Sequence, residues 1–127
     1  MTLRALLAVF AGGGIGSVAR YALTFAFTQR FGPGFPWATI FINVSGSVAI
    51  GVLSELALTR VSFGTPLIRI LLLTGVLGGY TTFSTFSLET VQLLHDRAPL
   101  SALFYALGSV TLGIVGAIAG AALVRAV

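Results

Sequence analysis

Ten residues, GGYTTFSTFS at 78–87, gather much of the chain's capable chemistry. They hold five side-chain hydroxyls of Ser and Thr type (Thr81, Thr82, Ser84, Thr85, Ser87) and two phenylalanines three apart, Phe83 and Phe86. The residues before them, Ile68 to Leu77, are nearly all apolar, so the stretch falls where a membrane span is under way. Gly78 and Gly79, followed by Thr81 and Thr82, are poor helix formers in a row. A break here frees backbone carbonyl and N–H groups at membrane depth, tolerated only where the backbone is buried in protein or faces water or an ion. Two readings follow. Freed carbonyls converging on one point, from one chain or from two, make a site for a small hard cation such as Na⁺. Alternatively, the break is a packing kink whose loose ends are met by the hydroxyls.

The two phenylalanines share a face if helix resumes after the break. A phenyl ring has a positive edge. Ring edges with hydroxyl and amide donors can meet a dehydrated anion without a full positive charge, which would hold it too tightly to leave. Polar residues elsewhere form stripes at helical spacing: Thr39, Asn43, Ser47 and then Ser54; Ser101, Tyr105 and Ser109; Thr85, Glu89 and Gln92. Each set lies on one helix face. A single hydroxyl is explained by bonding back to its own helix. Three stripes carrying an asparagine and a carboxylate describe the lining of a hydrated path. Arg20 lies deep in the first apolar stretch, where an unpartnered guanidinium costs about 3 kcal/mol or more. It either reaches a water-filled vestibule, drawing anions towards a pore mouth, or pairs with a carboxylate such as Glu89.

The elements that must position these groups are legible in the composition. The chain has 127 residues, 57% of them hydrophobic and 8% charged, with a mean hydropathy of +1.06. That is the profile of a membrane protein. Four stretches, 3–29, 36–58, 66–94 and 99–124, reach the length a bilayer core of ~30 Å requires. The expected fold is an all-α membrane protein, residues 1–127 forming a single transmembrane domain with its third helix broken near 78–82. The breaks RFGPGFP, TRVSFGTP and HDRAP each end in proline, which favours a helix start. The N-terminal apolar run is read as a retained first span, because no cleavage site follows it. Small residues four apart, Gly12 and Gly16, Ser47 and Gly51, Ser109 and Gly113, Gly116 and Gly120, suit close helix contact in lipid.

Several function classes are excluded. The chain has no cysteine, so disulfides and thiolate chemistry are absent. His95 stands in a loop beside Asp96 and Arg97 and is read as solvated. AGGGIG at 11–16 is not a dinucleotide fingerprint, since no strand precedes it. The net charge is +4 and every cation is arginine, scattered singly, so nucleic acid is not a partner. No nucleophile–base pair, metal-ligand cluster or phosphate loop supports catalysis. With both termini on one side, that side carries Arg4, Arg60, Arg69 and Arg125, and the other Arg30 and Arg97, with Arg20 deep in the first span. So small a bias allows insertion either way round, which suits an antiparallel homodimer.

GGYTTFSTFS closely resembles the third-span signature of the Fluc-type fluoride channels, small four-span bacterial membrane proteins. The resemblance covers the whole chain, with GGGIGSVARY in the first span, INVSG in the second, and Tyr105 with Ser109 in the fourth. It implies a dual-topology homodimer in the bacterial plasma membrane, whose two antiparallel pores let toxic fluoride leave the cytoplasm passively. By that resemblance Phe83 and Phe86 are the pore phenylalanines and Asn43 lies along the path. Thr82, Ser84, Thr85, Tyr105 and Ser109 supply a polar track, Arg20 stands at the vestibule, and Glu89 helps handle the ion. Backbone carbonyls of Gly78 and Thr81, from both subunits, hold a central structural Na⁺. Gly113 stands where some relatives have another hydroxyl, which leaves the outer end of the track open. Two rival classes remain. A small four-span proton-coupled exporter needs an acidic residue in its first span, and this chain has only Arg20 there. A non-transporting accessory membrane protein would explain the small residues but not the stripes or the break.

Overall fold

The computed structural model describes residues 2–60 and 64–126. Among the described residues the fold is entirely helical, and four helices are long and apolar enough to cross a bilayer: Leu3–Phe31, Trp37–Thr59, Pro66–His95 and Pro99–Arg125. The first is α1 (Leu3–Phe31), with Thr2 as its N-cap accepting a bond from the Ala5 amide. Gly32, at φ 77°, ends it. The second is α2 (Trp37–Thr59) and the fourth α6 (Pro99–Arg125), which has proline in its first turn. Part of the expected TRVSFGTP connection, residues 61–63, lies outside the described residues.

The third span is composite. It starts as α3 (Pro66–Arg69), continues as a π-helical run (Ile70–Leu77), returns as α4 (Gly78–Tyr80) and, after two extended residues, resumes as α5 (Phe83–His95). The break is narrower than the sequence suggests. Gly78 and Gly79 stay helical, and the extended residues are Thr81 (φ −79°, ψ 159°) and Thr82 (φ −152°, ψ 123°). β-Branched side chains fit extended backbone, whereas Gly79 serves close packing against Gly13 of α1.

Packing follows the small residues. α1 lies against the π-helical run and α4, α2 against α6, and α5 against α6. A Cβ on Gly12 would meet the Leu71 carbonyl at 2.5 Å, and one on Gly16 would run into the Val76 carbonyl. On the other contact, a Cβ on Gly51 would strike the Ala117 carbonyl and one on Gly120 the Val48 carbonyl. Backbone-to-backbone approach of this kind is how helices adhere where lipid removes the hydrophobic drive between them. At one end, Arg125 Nη2 meets the buried Glu55 Oε2 at 2.8 Å and ties the last turn of α6 to α2. Large apolar side chains such as Phe10, Tyr21 and Leu58 face outward, as a lipid-immersed surface allows.

Substituting Gly120→Ala or Gly51→Ala should therefore destabilise the protein by about 1–3 kcal/mol through overpacking against backbone that cannot yield. Gly14→Ala, whose Cβ meets nothing within 4 Å, should be neutral or slightly stabilising through helix propensity. Thermal unfolding in detergent checks both, and equal loss in all three variants would refute the close-contact account.

Candidate functional site

The break is satisfied from three directions. Asn43, in the second turn of α2, spends both ends of its carboxamide on Thr82: Nδ2 donates to the Thr82 carbonyl at 3.0 Å and Oδ1 accepts from the Thr82 amide at 2.9 Å. Thr82 Oγ1 caps α5, accepting from the Thr85 amide at 3.2 Å and donating to Thr85 Oγ1 at 3.0 Å. Tyr80 OH shares a bond with Ser45 Oγ of α2 at 2.9 Å. From α1, Arg20 Nε donates to the Gly79 carbonyl at 3.2 Å, with Ser17 Oγ near the same oxygen at 3.5 Å.

These bonds redirect donors that a continuous helix would give elsewhere. In an unbroken helix the Thr82 amide would close on the Gly78 carbonyl and the Thr85 amide on the Thr81 carbonyl. Here the first goes to Asn43 and the second to the Thr82 hydroxyl. Gly78 and Thr81 are thus the carbonyls whose helical donors have demonstrably been taken by side chains. Both residues line a groove of about 470 Å³, together with Asn43, Ser47, Thr82, Phe83, Phe86 and Ser109.

Phe83 and Phe86 stand at the start of α5 with ring centroids 5.6 Å apart. Phe83 is 77% exposed, whereas Phe86 packs on Tyr105 at 5.3 Å. Ser109 is 7% exposed, and its Oγ is the one buried side-chain polar atom among the described residues with no hydrogen-bond partner. Gly113 borders the same groove, facing Ser47. Ser84 is exposed, 3.4 Å from the Thr82 hydroxyl. Neither it nor Thr85, Tyr105, Glu89 or Arg20 lines the groove.

Glu89 belongs to a second cluster. Its Oε1 accepts from Thr39 Oγ1 at 3.0 Å and its Oε2 from Tyr105 OH at 2.6 Å, so the expected stripes of α2 and α6 converge on it. Tyr105 is fully buried. Beyond Glu89 opens a smaller cleft of about 190 Å³, bordered by Thr24, Thr28, Gln92 and Asp96. A chain of contacts thus runs from the groove through Phe86 and Tyr105 to Glu89 and this cleft. Arg20 does not pair with Glu89, one of the two fates the sequence allowed it. Both oxygens of Glu89 are taken, and Arg20 bonds the break instead. His95 ends α5 and is exposed. Sequence reasoning missed Ser17, Ser45 and the Gly79 carbonyl. The three-residue spacing of Ser17 and Arg20 was the available signal for one face of α1 meeting the break.

Comparison with known proteins gives this geometry a context. Residues 7–121 match the model of the family described as CrcB-like protein, Camphor Resistance (CrcB). A protein of Rhizobium meliloti named fluoride-specific ion channel FluC is 48% identical over 121 residues, covering 95% of this chain and 96% of that one. FluC of Nitrobacter winogradskyi is 48% identical over 122 residues, with 96% of each chain covered. FluC 2 of Nitrobacter hamburgensis is 49% identical over 120 residues, covering 94% of this chain and 95% of that one. A four-span fold with a capped break in its third helix, matched along nearly its whole length, identifies this chain as a member of the CrcB-like family.

Proposed function

We propose that this chain is a passive, fluoride-selective channel of the bacterial inner membrane that lets fluoride leave the cytoplasm. The observation that carries the reading is the groove beside the break. There, two phenylalanines three apart stand beside the buried hydroxyl of Ser109, which no protein group satisfies. A buried polar atom without a partner calls for an explanation, and a small anion accepting its hydrogen bond supplies one. The names of the relatives at 48–49% identity support fluoride as that anion.

Conduction on this reading uses donors that are numerous and uncharged. Ring edges of Phe83 and Phe86, with hydroxyls such as Ser109, replace part of the hydration shell without the fixed charge that would trap the ion. Thr82, Ser84 and Thr85 extend the polar track along the N-terminal turn of α5, where the helix dipole favours an anion. Tyr105 and Glu89 form the continuation behind Phe86. Glu89, held by two hydroxyl donors, acts on how the ion leaves that end. Asn43 keeps the break in register, and so positions Phe83 and Phe86.

The working unit is an antiparallel homodimer. The groove opens to one side and leaves Phe83 largely exposed, and a second copy would supply the missing wall. The near balance of arginines supports insertion both ways round. A Na⁺ ion fits the same arrangement. The Gly78 and Thr81 carbonyls are hard oxygen ligands whose helical donors have gone elsewhere. Carbonyls of both copies would hold it, and it would supply a fixed positive charge that knits the two breaks together.

Phe83→Ile and Phe86→Ile should each cut fluoride efflux from proteoliposomes by about tenfold or more while leaving the dimer folded, as a channel's dependence on its filter groups implies. Normal flux in both would end the aromatic-edge role. Asn43→Asp removes the donor to the Thr82 carbonyl and adds a charge, and should suppress flux and lower the unfolding midpoint. An unaltered variant would mean that Asn43 neither holds the break nor borders the path. Exchanging Na⁺ for N-methyl-D-glucamine during purification and assay should lower both fluoride flux and thermal stability. Indifference to that exchange would remove the sodium site.

A further inference from the structure

Among the described residues Arg20 is the one charged side chain bonded to the break. α1 comes close enough to make that bond because Gly16 of α1 and Gly79 of α4 carry no side chain. A Cβ on Gly79 would strike the Gly13 carbonyl, and one on Gly16 would lie 2.7 Å from the Tyr80 amide. Ser17 and Arg20 continue this face of α1 by one further turn. Their shared acceptor is the carbonyl of Gly79. Gly79 itself does not border the groove, whereas Gly78 and Thr81 do.

We infer that Arg20 is a positioning residue for the break: its Nε–H holds the Gly79 carbonyl on the α1 side and so fixes Gly78 and Thr81 as the carbonyls that face the groove. The four carbonyls from Gly78 to Thr81 span the last helical turn and the first extended residue of the break, so a contact on one of them sets how that turn is aimed. The bond to a guanidinium is charge-assisted and stronger than a neutral one. It also gives a deep arginine a use for its position other than attracting anions from water. The functional consequence, a cation site of fixed composition beside the phenylalanines, rests on the channel reading above. The bond itself does not.

The atom that makes the bond allows a clean test. Glutamine places its amide nitrogen on Cδ, where arginine places Nε, so Arg20→Gln keeps a donor at that point and discards the charge. Arg20→Lys keeps the charge and puts a methylene there instead. Two readouts are taken on each variant: the thermal unfolding midpoint in detergent, and fluoride efflux from proteoliposomes at low and high ionic strength. If Arg20 positions the carbonyl, Arg20→Gln unfolds at a higher temperature than Arg20→Lys and conducts about tenfold faster, at both ionic strengths, as loss of one good hydrogen bond implies. The inference is overturned if Arg20→Lys matches or exceeds Arg20→Gln in both readouts. A flux gap that shrinks with salt would then mark Arg20 as a screened electrostatic lure. If the unsubstituted protein fails to conduct fluoride, the channel reading falls, and the order of the two unfolding midpoints still decides the role of Arg20.

Discussion

A helix interrupted at membrane depth has to find partners for backbone groups that lipid will not solvate. In this chain the interruption is only two residues long, Thr81 and Thr82, yet it draws on two other helices. α2 sends a carboxamide and a serine hydroxyl, α1 a guanidinium, and α5 is capped by the very threonine that ends the break. Each of these contacts is conditional on helices lying closer than ordinary side chains permit. The glycines at the α1 and α2 contacts are therefore as much a part of the site as the groups that touch the groove.

The two halves of the molecule divide this labour. On one side α1 is pressed against the π-helical run and α4, and on the other α2 is pressed against α6. The break sits where these two packed pairs meet, with α1 groups on its Gly79 carbonyl and an α2 group on its Thr82 amide and carbonyl. What is left unsatisfied faces a single groove. That asymmetry is the physical basis of function here. Backbone polarity is cancelled on the sides that pack and retained on the side of the groove.

Much of this was legible in the residues. Apolar run length and terminal prolines marked the four spans, and the GGYTT stretch marked the break. The helical spacing of Thr39 and Asn43 on one helix, and of Tyr105 and Ser109 on another, matches their placement: Thr39 and Tyr105 meet at Glu89, and Asn43 and Ser109 line the groove. Other features were not readable, for identifiable reasons. The π-helical run Ile70–Leu77 has no compositional signature, and its wider turn removes the four-residue rule by which small-residue faces are recognised. The glycines looked like the breaking residues because propensity says so, but both stay helical, Gly79 in close contact with Gly13 of α1. Arg20 had two candidate fates, and only the disposition of Thr39 and Tyr105 around Glu89 could close one of them. Ser45 and Tyr80 are too far apart in sequence for any periodicity to join.

The carboxamide of Asn43 has an implication for how this site can vary over time. It answers both a donor and an acceptor of one residue, from a fixed position on a neighbouring helix. Few side chains combine both functions on adjacent atoms, and glutamine, which does, carries them one methylene too far. A shorter side chain leaves the backbone groups stranded, and one lacking either function strands one of them. Position 43 is therefore an isolated solution in sequence space. Drift can reshape the walls of the groove around it by small steps, but that residue can be exchanged only together with the geometry of the break it closes.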